Sequence, residues 1–317
     1  MPLRYSPLGL VLLIAVSGVV EQTSESVQVC LASAADYSAV YPTNVLPATS
    51  KGIAVVFRVT KGKYKKLTEK IFAVDAGTAI PPNALLASTD DVVGPVNGVG
   101  FFESSGERPV PPGKYRVDIL ADDAPWKTAQ FSVVPAAEPK ITRPEDLVVL
   151  PKGRVWTYAE TVEAGGTRMT HNDTYAIASV DNAGARVDAS SEHMLWHLGP
   201  SGLAVWRKEL ISQALLPQPQ VWLSWPLNAP KTWSYPASDG SFTETYRMWG
   251  PVPVKGLQGE APGYVVLTDR QIAREDFHST TERDFLPGVG IVREIYVVAT
   301  KNGELQSRVE RMLTSVR

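Results

Sequence analysis

This chain has almost no cysteine and no excess of charge of either sign. Its 317 residues carry 31 basic and 33 acidic side chains, a formal net charge of −2. Without an overall positive field there is little attraction for nucleic acid, so we expect no nucleic-acid partner. Cys30 is the only cysteine. The chain can therefore form no internal disulfide and must be held together by the packing of its cores.

Long apolar runs are missing as well. The N-terminal run Leu8–Val20 is uncharged and almost wholly apolar, but its 13 residues fall short of the roughly 20 that a membrane-spanning helix needs. It follows the early positive charge of Arg4, and a short apolar run behind a basic residue is typical of a secretory signal. We therefore predict a signal peptide over residues 1–34.

The cleavage point has competing positions. Ala32-Ser33-Ala34 is a small-residue cleavage site, whereas cleavage after Gly18 and an uncleaved N-terminal anchor are the alternatives. The residues before Cys30, Val27-Gln28-Val29, form a poor lipobox, which argues against a lipid anchor at this cysteine. An exported chain without disulfides is typical of a bacterial envelope protein. We expect a periplasmic or envelope-associated protein, with peripheral membrane association as an open option.

Helical periodicity is also missing, since no window shows a sustained apolar repeat of 3.6 residues. Short runs rich in β-branched and aromatic residues alternate instead with turn residues. Examples are the alternating run Tyr115–Leu120 behind Pro111-Pro112-Gly113, and the hairpin signal Asn302-Gly303. The sequence therefore predicts an all-β protein.

Composition and turn spacing divide the chain in two. The Pro-rich stretch 137–146 is the best candidate linker. Before it, the turn-strand-turn-strand pattern over Pro111–Leu120 and Lys127–Val134 resembles the last hairpin of bacterial immunoglobulin-like domains, which implies a β-sandwich over residues 45–136. After it, strands at regular spacing over residues 147–317 predict a curved antiparallel sheet, or half-barrel.

Signatures of catalysis and cofactor binding are weak. Gly288-Val289-Gly290 is followed by the β-branched run Ile291–Val298, not by the capped helix that a phosphate-binding glycine loop requires. We interpret these glycines as a corner between two strands. The chain also has no G-x-S-x-G nucleophile elbow. We predict no catalytic residue and no cofactor.

The four histidines offer one alternative. His193 and His197 have the spacing of a helical metal pair, but in a strand they lie about 13 Å apart, too far to share one ion. We therefore predict no metal site. An exported hydrolase that uses His193, His197 or His278 with a nearby carboxylate remains the second hypothesis, and it requires such a pair inside a cleft.

Tryptophan is concentrated in the second half of the chain. Seven of the eight tryptophans follow the linker, and rings at this density either fill a curved sheet or line a concave apolar site. Packed core is the favoured interpretation. If a ligand site exists, its residues are Trp156, Trp196, Trp206, Trp222, Trp225, Trp233 and Trp249.

Three segments of the second half carry a family resemblance. Gly153–Tyr158, Trp225–Pro236 and Phe285–Arg293 follow the order of motifs seen in exported bacterial half-barrel proteins. These proteins share a curved antiparallel sheet related to that of the LolA/LolB-like lipoprotein-localisation carriers, and they include TapB-type and similar uncharacterised families, whose members mostly have no known activity. The resemblance implies a half-barrel and no catalytic residues.

Export, β architecture, clustered tryptophans and missing catalytic motifs together favour a non-enzymatic envelope protein. Its expected role is binding or scaffolding, with an apolar or amphiphilic ligand held in the tryptophan-rich sheet or a protein partner docked on the sandwich. A structural subunit of a larger envelope complex, with edge strands that pair with a partner, is a third hypothesis.

Overall fold

The computed structural model describes residues 25–50, 52–60, 62–78, 80–91, 99–105, 109–135, 141–190, 192–207, 218–227, 231–237, 240–273 and 275–317. These residues form β-strands and one short 3-10 helix, Pro144–Asp146. The predicted all-β fold is confirmed. Within the described ranges, no helix is long and apolar enough to cross a membrane. Part of the predicted linker, residues 137–140, lies outside the described residues.

The first part of the chain is a two-sheet sandwich, which we call the sandwich domain. Its sheets have the strand orders β1-β5-β8 and β4-β10-β9-β6-β7, with a small β2-β3 pair beside them. Its immunoglobulin-like character stays a prediction. The strands are β1 (Ser26–Cys30), β2 (Ala32–Ser33), β3 (Ala39–Val40), β4 (Val45–Pro47), β5 (Gly52–Arg58), β6 (Leu67–Asp75), β7 (Leu85–Asp91), β8 (Val99–Ser105), β9 (Gly113–Ala121) and β10 (Ala124–Val134).

The sandwich strands follow from their apolar patterns. In β9 every second side chain is buried, and Tyr115, Val117 and Ile119 face the core. In contrast, β5 is a continuous apolar run whose central residues are all buried. Such a run is typical of a strand covered on both faces. Its second face packs against Cys30 through Ala54 and Val56.

The second part of the chain forms one large antiparallel sheet, which we call the curved-sheet domain. Its order is β16-β15-β14-β13-β12-β11-β22-β21-β20-β19-β18-β17, so consecutive strands are neighbours except where the chain passes from one end of the sheet to the other. The strands are β11 (Val155–Ala164), β12 (Thr167–Asp181), β13 (Gly184–Ala189), β14 (His193–Gly199), β15 (Gly202–Arg207), β16 (Gln220–Ser224), β17 (Lys231–Pro236), β18 (Phe242–Gly256), β19 (Gly259–Ile272), β20 (Phe277–Leu286), β21 (Gly290–Thr300) and β22 (Leu305–Val316).

The curved sheet is nearly closed. Its two end strands, β16 and β17, come together, and the indole Nε1 of Trp233 on β17 donates a hydrogen bond of 2.9 Å to the carbonyl oxygen of Val221 on β16. Curvature brings many side chains of the inner face into one interior. That interior contains the candidate site.

The glycine segment at residues 288–290 is a strand corner, as predicted. Gly288 and Gly290 have φ angles of 75° and 108° between β20 and β21. Strand β11, the first of the curved-sheet domain, fixes the position of this corner, because its Trp156 Nε1 donates to the carbonyl oxygen of Val289 at 2.8 Å. The two glycines therefore supply the positive φ angles that the corner requires.

Residues within the predicted signal peptide belong to the sandwich domain. Strand β1 pairs with β5 over all five of its residues, and Cys30 and Ala32 are fully buried. The predicted boundaries, a peptide of residues 1–34 and a first domain starting at residue 45, stay predictions, and the described strands of the sandwich domain begin at Ser26. Apolar side chains at 27, 29 and 31 alternate as in a half-buried strand. The apolar run before them lies outside the described residues.

The segment after β2 joins the two domains. The backbone N–H of Ala35 donates to Thr280 Oγ1 at 3.0 Å, and that of Tyr41 donates to Glu282 Oε1 at 3.2 Å. Ala35 also packs in one buried cluster with Ile295, Val297 and Ala299 of β21. The sandwich domain therefore covers part of the outer face of β20 and β21.

Candidate functional site

Aromatic rings fill one half of the interior of the curved sheet. The ring centroids of Trp156 and Trp196 are 5.8 Å apart, and those of Trp196 and Trp222 are 6.0 Å apart. All three side chains are fully buried. Tyr175 meets Trp196 edge to face at 6.4 Å. Edge-to-face and tilted contacts at these distances are typical of packed aromatic cores, so these three rings form a core.

The other four tryptophans are divided between the two faces and the end of a strand. Trp233 stacks on Tyr246 at 5.2 Å at the inner face. Trp206 lies on the opposite face from the inward-facing Trp196, because Trp196 pairs with Val205 in the ladder. Trp249, next to the buried Met248, lies on the outer face beneath Arg247. Trp225 follows the end of β16. The seven therefore do not form one concave cluster, and ligand binding by them stays a prediction.

A layer of buried charges lies beside the aromatic half. Arg311 on β22 forms ion pairs with three carboxylates, Glu160, Asp173 and Glu294. Arg283 donates a second hydrogen bond to Glu294, at 2.7 Å. Burial by itself would raise the pKa of Glu294, but the two guanidinium groups hold this pKa below its usual value.

The charged layer touches the aromatic core and continues toward the end strand β17. The guanidinium carbon of Arg283 lies 4.0 Å from the ring centroid of Trp222, a cation–π contact. Further along, Arg270 forms an ion pair with Glu244 on β18, and the hydroxyl of Tyr246 donates to the same carboxylate. Burial raises the pKa of Tyr246, and the charge of Glu244 raises it further. The interior thus has an apolar half and a polar half.

The junction of β16 and β17, which we call the seam, is closed by side chains. No backbone ladder joins these two strands in the described part of the sheet. Two hydrogen bonds across the seam come from β17: Trp233 Nε1 donates to the Val221 carbonyl at 2.9 Å, and the Tyr235 hydroxyl donates to the Gln218 carbonyl at 3.2 Å. A third comes from β16 and reaches the next strand, β18, where Gln220 Nε2 donates to Glu244 Oε2 at 2.8 Å.

Two buried polar atoms near the seam have no partner among the described residues. They are the donor Trp196 Nε1 and the acceptor Gln220 Oε1. Their strands are separated by β15 alone, since Val205 pairs with Trp196 on one side and Gln220 on the other. An unpaired buried donor or acceptor costs about 1–3 kcal/mol. A ligand or water that bonded to either atom would remove that cost.

The histidines form two pairs with carboxylates, but at exposed positions. His193 Nδ1 lies 2.7 Å from Asp188 Oδ1, and His171 Nε2 lies 3.0 Å from Glu160 Oε1. The two histidine side chains are 57% and 56% exposed. The hydrolase hypothesis requires such a pair inside a cleft, and these geometries do not supply one. Among the described residues, no three His, Cys, Asp or Glu side chains lie close enough to hold a metal ion.

The charged layer was not predicted from the sequence. On β11, Glu160 continues the inward-facing series of Trp156 and Tyr158, but a charged residue at the end of an apolar alternation is usually taken to mark the solvated end of a strand. The available signal was the recurrence of opposite charges at inward positions of adjacent strands. It becomes visible only when the strand register is known.

Comparisons with known proteins add little to this geometry. No protein-family model and no curated protein matches the chain. It is similar to a solved structure from Bacteroides fragilis assigned as an exported protein with a YmcC-like fold, with 12% identity and a TM-score of 0.29 over 54% of this chain and 98% of that one. A second, assigned as a lipoprotein of Parabacteroides distasonis, has 14% identity and a TM-score of 0.28 over the same shares. Similarity at this level carries no argument about function.

Proposed function

We propose that this chain is a non-enzymatic, exported envelope protein that binds an amphiphilic ligand at the seam of its curved sheet. The observation that carries the proposal is the seam, where the sheet is closed by side-chain hydrogen bonds instead of a backbone ladder. Strands held in this way can separate without the loss of a ladder. The short apolar run behind Arg4 supports export.

The surroundings of the seam favour a ligand with an apolar part and a polar part. The stacked rings of Trp233 and Tyr246 offer apolar surface beside the seam. Gln220 and the Arg270–Glu244 ion pair lie next to them and offer donors and an acceptor for a polar head. Ligand sites in proteins usually combine mostly apolar walls with a few polar groups in this manner.

Tryptophan emission tests this proposal. We would titrate the full chain with dodecylphosphocholine below its micelle concentration and expect a saturable blue shift. In Trp233→Phe this shift should fall by at least half, because the reporting indole is lost while a ring still stacks on Tyr246. Trp206→Phe is the matched control, since Trp206 lies on the outer face, and it should keep the full shift.

Two results would overturn the proposal. One is an emission spectrum that does not change across single-chain amphiphiles with zwitterionic, anionic and neutral heads. The other is a shift of equal size in Trp233→Phe and in the unmodified chain. If the chain is instead recovered from solubilised envelopes in a stable protein complex and binds no amphiphile, the scaffolding hypothesis replaces this one.

A further inference from the structure

We infer that a second binding site lies in the cleft where the two domains meet, and that this cleft takes a small apolar ligand carrying a positive charge. The cleft has a volume of about 360 Å³. One wall comes from the sandwich domain, and the other comes from the outer part of the β18–β19 hairpin. The site is separate from the seam and does not depend on the function proposed above.

The walls of the cleft are apolar and rigid. The sandwich domain contributes Val45, Pro47, Val134 and Pro135, and the hairpin contributes residues 251–253 and 260–262. Five of the ten lining residues are prolines. A proline has a restricted backbone and no N–H group. The walls therefore offer hydrocarbon surface and few donors, and they lose little freedom when a ligand binds.

A hydrogen bond from Tyr41 ties the two walls together. Tyr41 belongs to the segment that follows β3, and its hydroxyl donates to the carbonyl oxygen of Pro253 on the hairpin. Its backbone N–H donates to Glu282 Oε1 on β20. These contacts position the hairpin relative to the sandwich domain. The cleft is thus a formed feature of the domain junction, which is a common place for small-molecule sites.

The charge of the described cleft lining has one sign. Glu260 is the only ionisable residue among the described residues that line the cleft. Lys255 lies opposite Glu260 in the β18–β19 ladder, but their side chains are not within ion-pair distance. Glu260 is therefore free to attract a cation that enters the cleft.

Further carboxylates lie behind the hairpin wall. Burial raises the pKa of the Tyr41 hydroxyl, and the charges of Asp284, Glu260 and Glu282 raise it further. All three carboxylates therefore lie close enough to influence this hydroxyl. Arg293 forms ion pairs with Glu282 and Asp284, yet Asp284 Oδ1 is buried without a hydrogen-bond partner. Burial raises the pKa of Glu282 to about 8 and that of Asp284 to about 6, and Arg293 pairs with both, so Glu260 supplies most of the negative charge at the cleft. That charge disfavours anions such as fatty-acid carboxylates. It favours an organic cation whose apolar part contacts the proline and valine walls.

Three probes of equal chain length separate the contributions of charge and apolar surface. We would titrate the full chain with n-octylammonium, n-octanol and octanoate and follow each ligand by saturation-transfer NMR. The expected order of affinity is ammonium, then alcohol, then carboxylate. Glu260→Gln should weaken ammonium binding about 2- to 5-fold, the size expected for one partly exposed charge, and should leave octanol binding unchanged.

A second variant tests the cavity, and a third serves as a control. Ala261→Phe places a ring in the cleft and should weaken binding of octanol and octylammonium to what the seam alone retains. The same variant should keep the full blue shift with dodecylphosphocholine, which reports the seam, so that failure at this cleft can be distinguished from failure at the seam. Glu304→Gln removes an exposed carboxylate outside the cleft lining and should change nothing.

Either of two findings overturns the inference. If octanoate binds as tightly as octylammonium, the charge argument is wrong. If Ala261→Phe binds both octyl ligands as the unmodified chain does, while its circular dichroism spectrum is unchanged, the ligands do not occupy this cleft.

Discussion

The two domains bury charge in opposite ways. In the sandwich domain, Glu69 is completely buried, and neither of its carboxylate oxygens has a hydrogen-bond partner among the described residues. In the curved-sheet domain, Glu160, Glu244 and Glu294 are also buried, but each forms an ion pair with an arginine. An isolated buried carboxylate is strongly unfavourable, whereas a paired one is tolerated.

The difference has a consequence for protonation. Burial raises the pKa of Glu69 to about 7, because its neighbours on the inner face of β6, Leu67 and Ile71, offer no charge or donor. The arginines lower the pKa of Glu294 despite its burial. At neutral pH the sandwich core therefore holds a carboxyl group close to its midpoint, while the arginines of the charged layer keep Glu294 ionised.

Removal of the first two strands of the sandwich domain should have the largest effect. A chain that begins at Ala35 lacks β1 and β2, so it exposes the edge of β5 that pairs with β1 and the side chains of Ala54 and Val56 that pack against Cys30. We expect the sandwich domain to lose its fold, seen as full hydrogen exchange of β5 and β9 peptides, while the curved sheet keeps its protection. A chain that begins at Glu25 is the control and should exchange slowly in both domains.

The same reasoning predicts the N-terminus that the mature chain has if it is exported as proposed. Glu25 accepts hydrogen bonds from Lys63 Nζ at 3.0 Å and Trp126 Nε1 at 3.2 Å, so residues from 25 onward contribute to the fold. N-terminal sequencing of exported protein should therefore find a start at or before Glu25, as cleavage after Gly18 would leave. A mature chain that starts at Ala35 and is still folded would contradict this.

Loss of one arginine from the charged layer should lower the free energy of unfolding of the curved sheet. We expect this loss to exceed that which a single substitution in the sandwich core causes in the sandwich domain. Arg311→Met leaves Glu160, Asp173 and Glu294 without their shared partner, and breaking such a buried network costs roughly 3–5 kcal/mol. Urea unfolding followed by tryptophan emission measures this, since seven of eight tryptophans lie in that half.

The matched control for that change is Arg168→Met. Arg168 forms an ion pair with Glu163 at 3.2 Å, but its side chain is 70% exposed, so we expect a loss of roughly 1 kcal/mol or less. Equal losses of unfolding free energy in the two variants would mean that burial adds nothing to the cost of breaking the charged layer. The contrast between the domains would then fail.

The buried carboxyl of the sandwich domain should make that domain less stable as pH rises. With a folded-state pKa of about 7 against a usual value of 4.5, the penalty is absent below pH 4.5, grows between pH 4.5 and 7, and stays constant above pH 7. Its full size is on the order of 3 kcal/mol.

Glu69→Gln tests this directly, because an amide of similar shape does not titrate. We expect the free energy of opening of β6, measured by hydrogen exchange, to depend less on pH in the variant, with the benefit of the substitution largest at pH 8. If the pH profiles of the two proteins run parallel from pH 4 to pH 8, Glu69 is not the titrating group.

The smallest expected effect concerns the ion pair between the domains. Arg247 on β18 pairs with Glu103 on β8, and both side chains are about one third exposed. Arg247→Gln should therefore reduce the stability of the docked arrangement by roughly 0.2–1 kcal/mol, and less at high salt. Thermal unfolding at low and high ionic strength measures this, and a loss that does not depend on salt would point to a packing effect instead.

Individual elements show how far the sequence could be interpreted. The alternation Tyr115, Val117, Ile119 predicted a half-buried strand, and the β-branched run after Gly290 predicted a corner followed by a strand; both are present. Strand β1 was missed, because the polar residues before it and the small residues after it matched a cleavage site. The same residues fit both a cleavage site and a strand, and only the pairing of β1 with β5 distinguishes the two.

The candidate site was much less predictable. Tryptophan density directed attention to the curved-sheet domain, but it could not separate the inward Trp196 from the outward Trp206, since the face of each depends on strand register. The seam and the junction cleft involve residues far apart in the chain, such as Pro47 with Pro262. No local pattern could have brought them together.

The sequence by itself determined the all-β fold and the absence of an internal disulfide, because periodicity, turn residues and cysteine count can be read without any tertiary contact. Tertiary structure alone decided which charges are paired, which tryptophans are core, and where the two domains enclose a cleft. Pairing and burial are properties of residues brought together across strands, and the register that aligns them is set by the packing of the whole sheet.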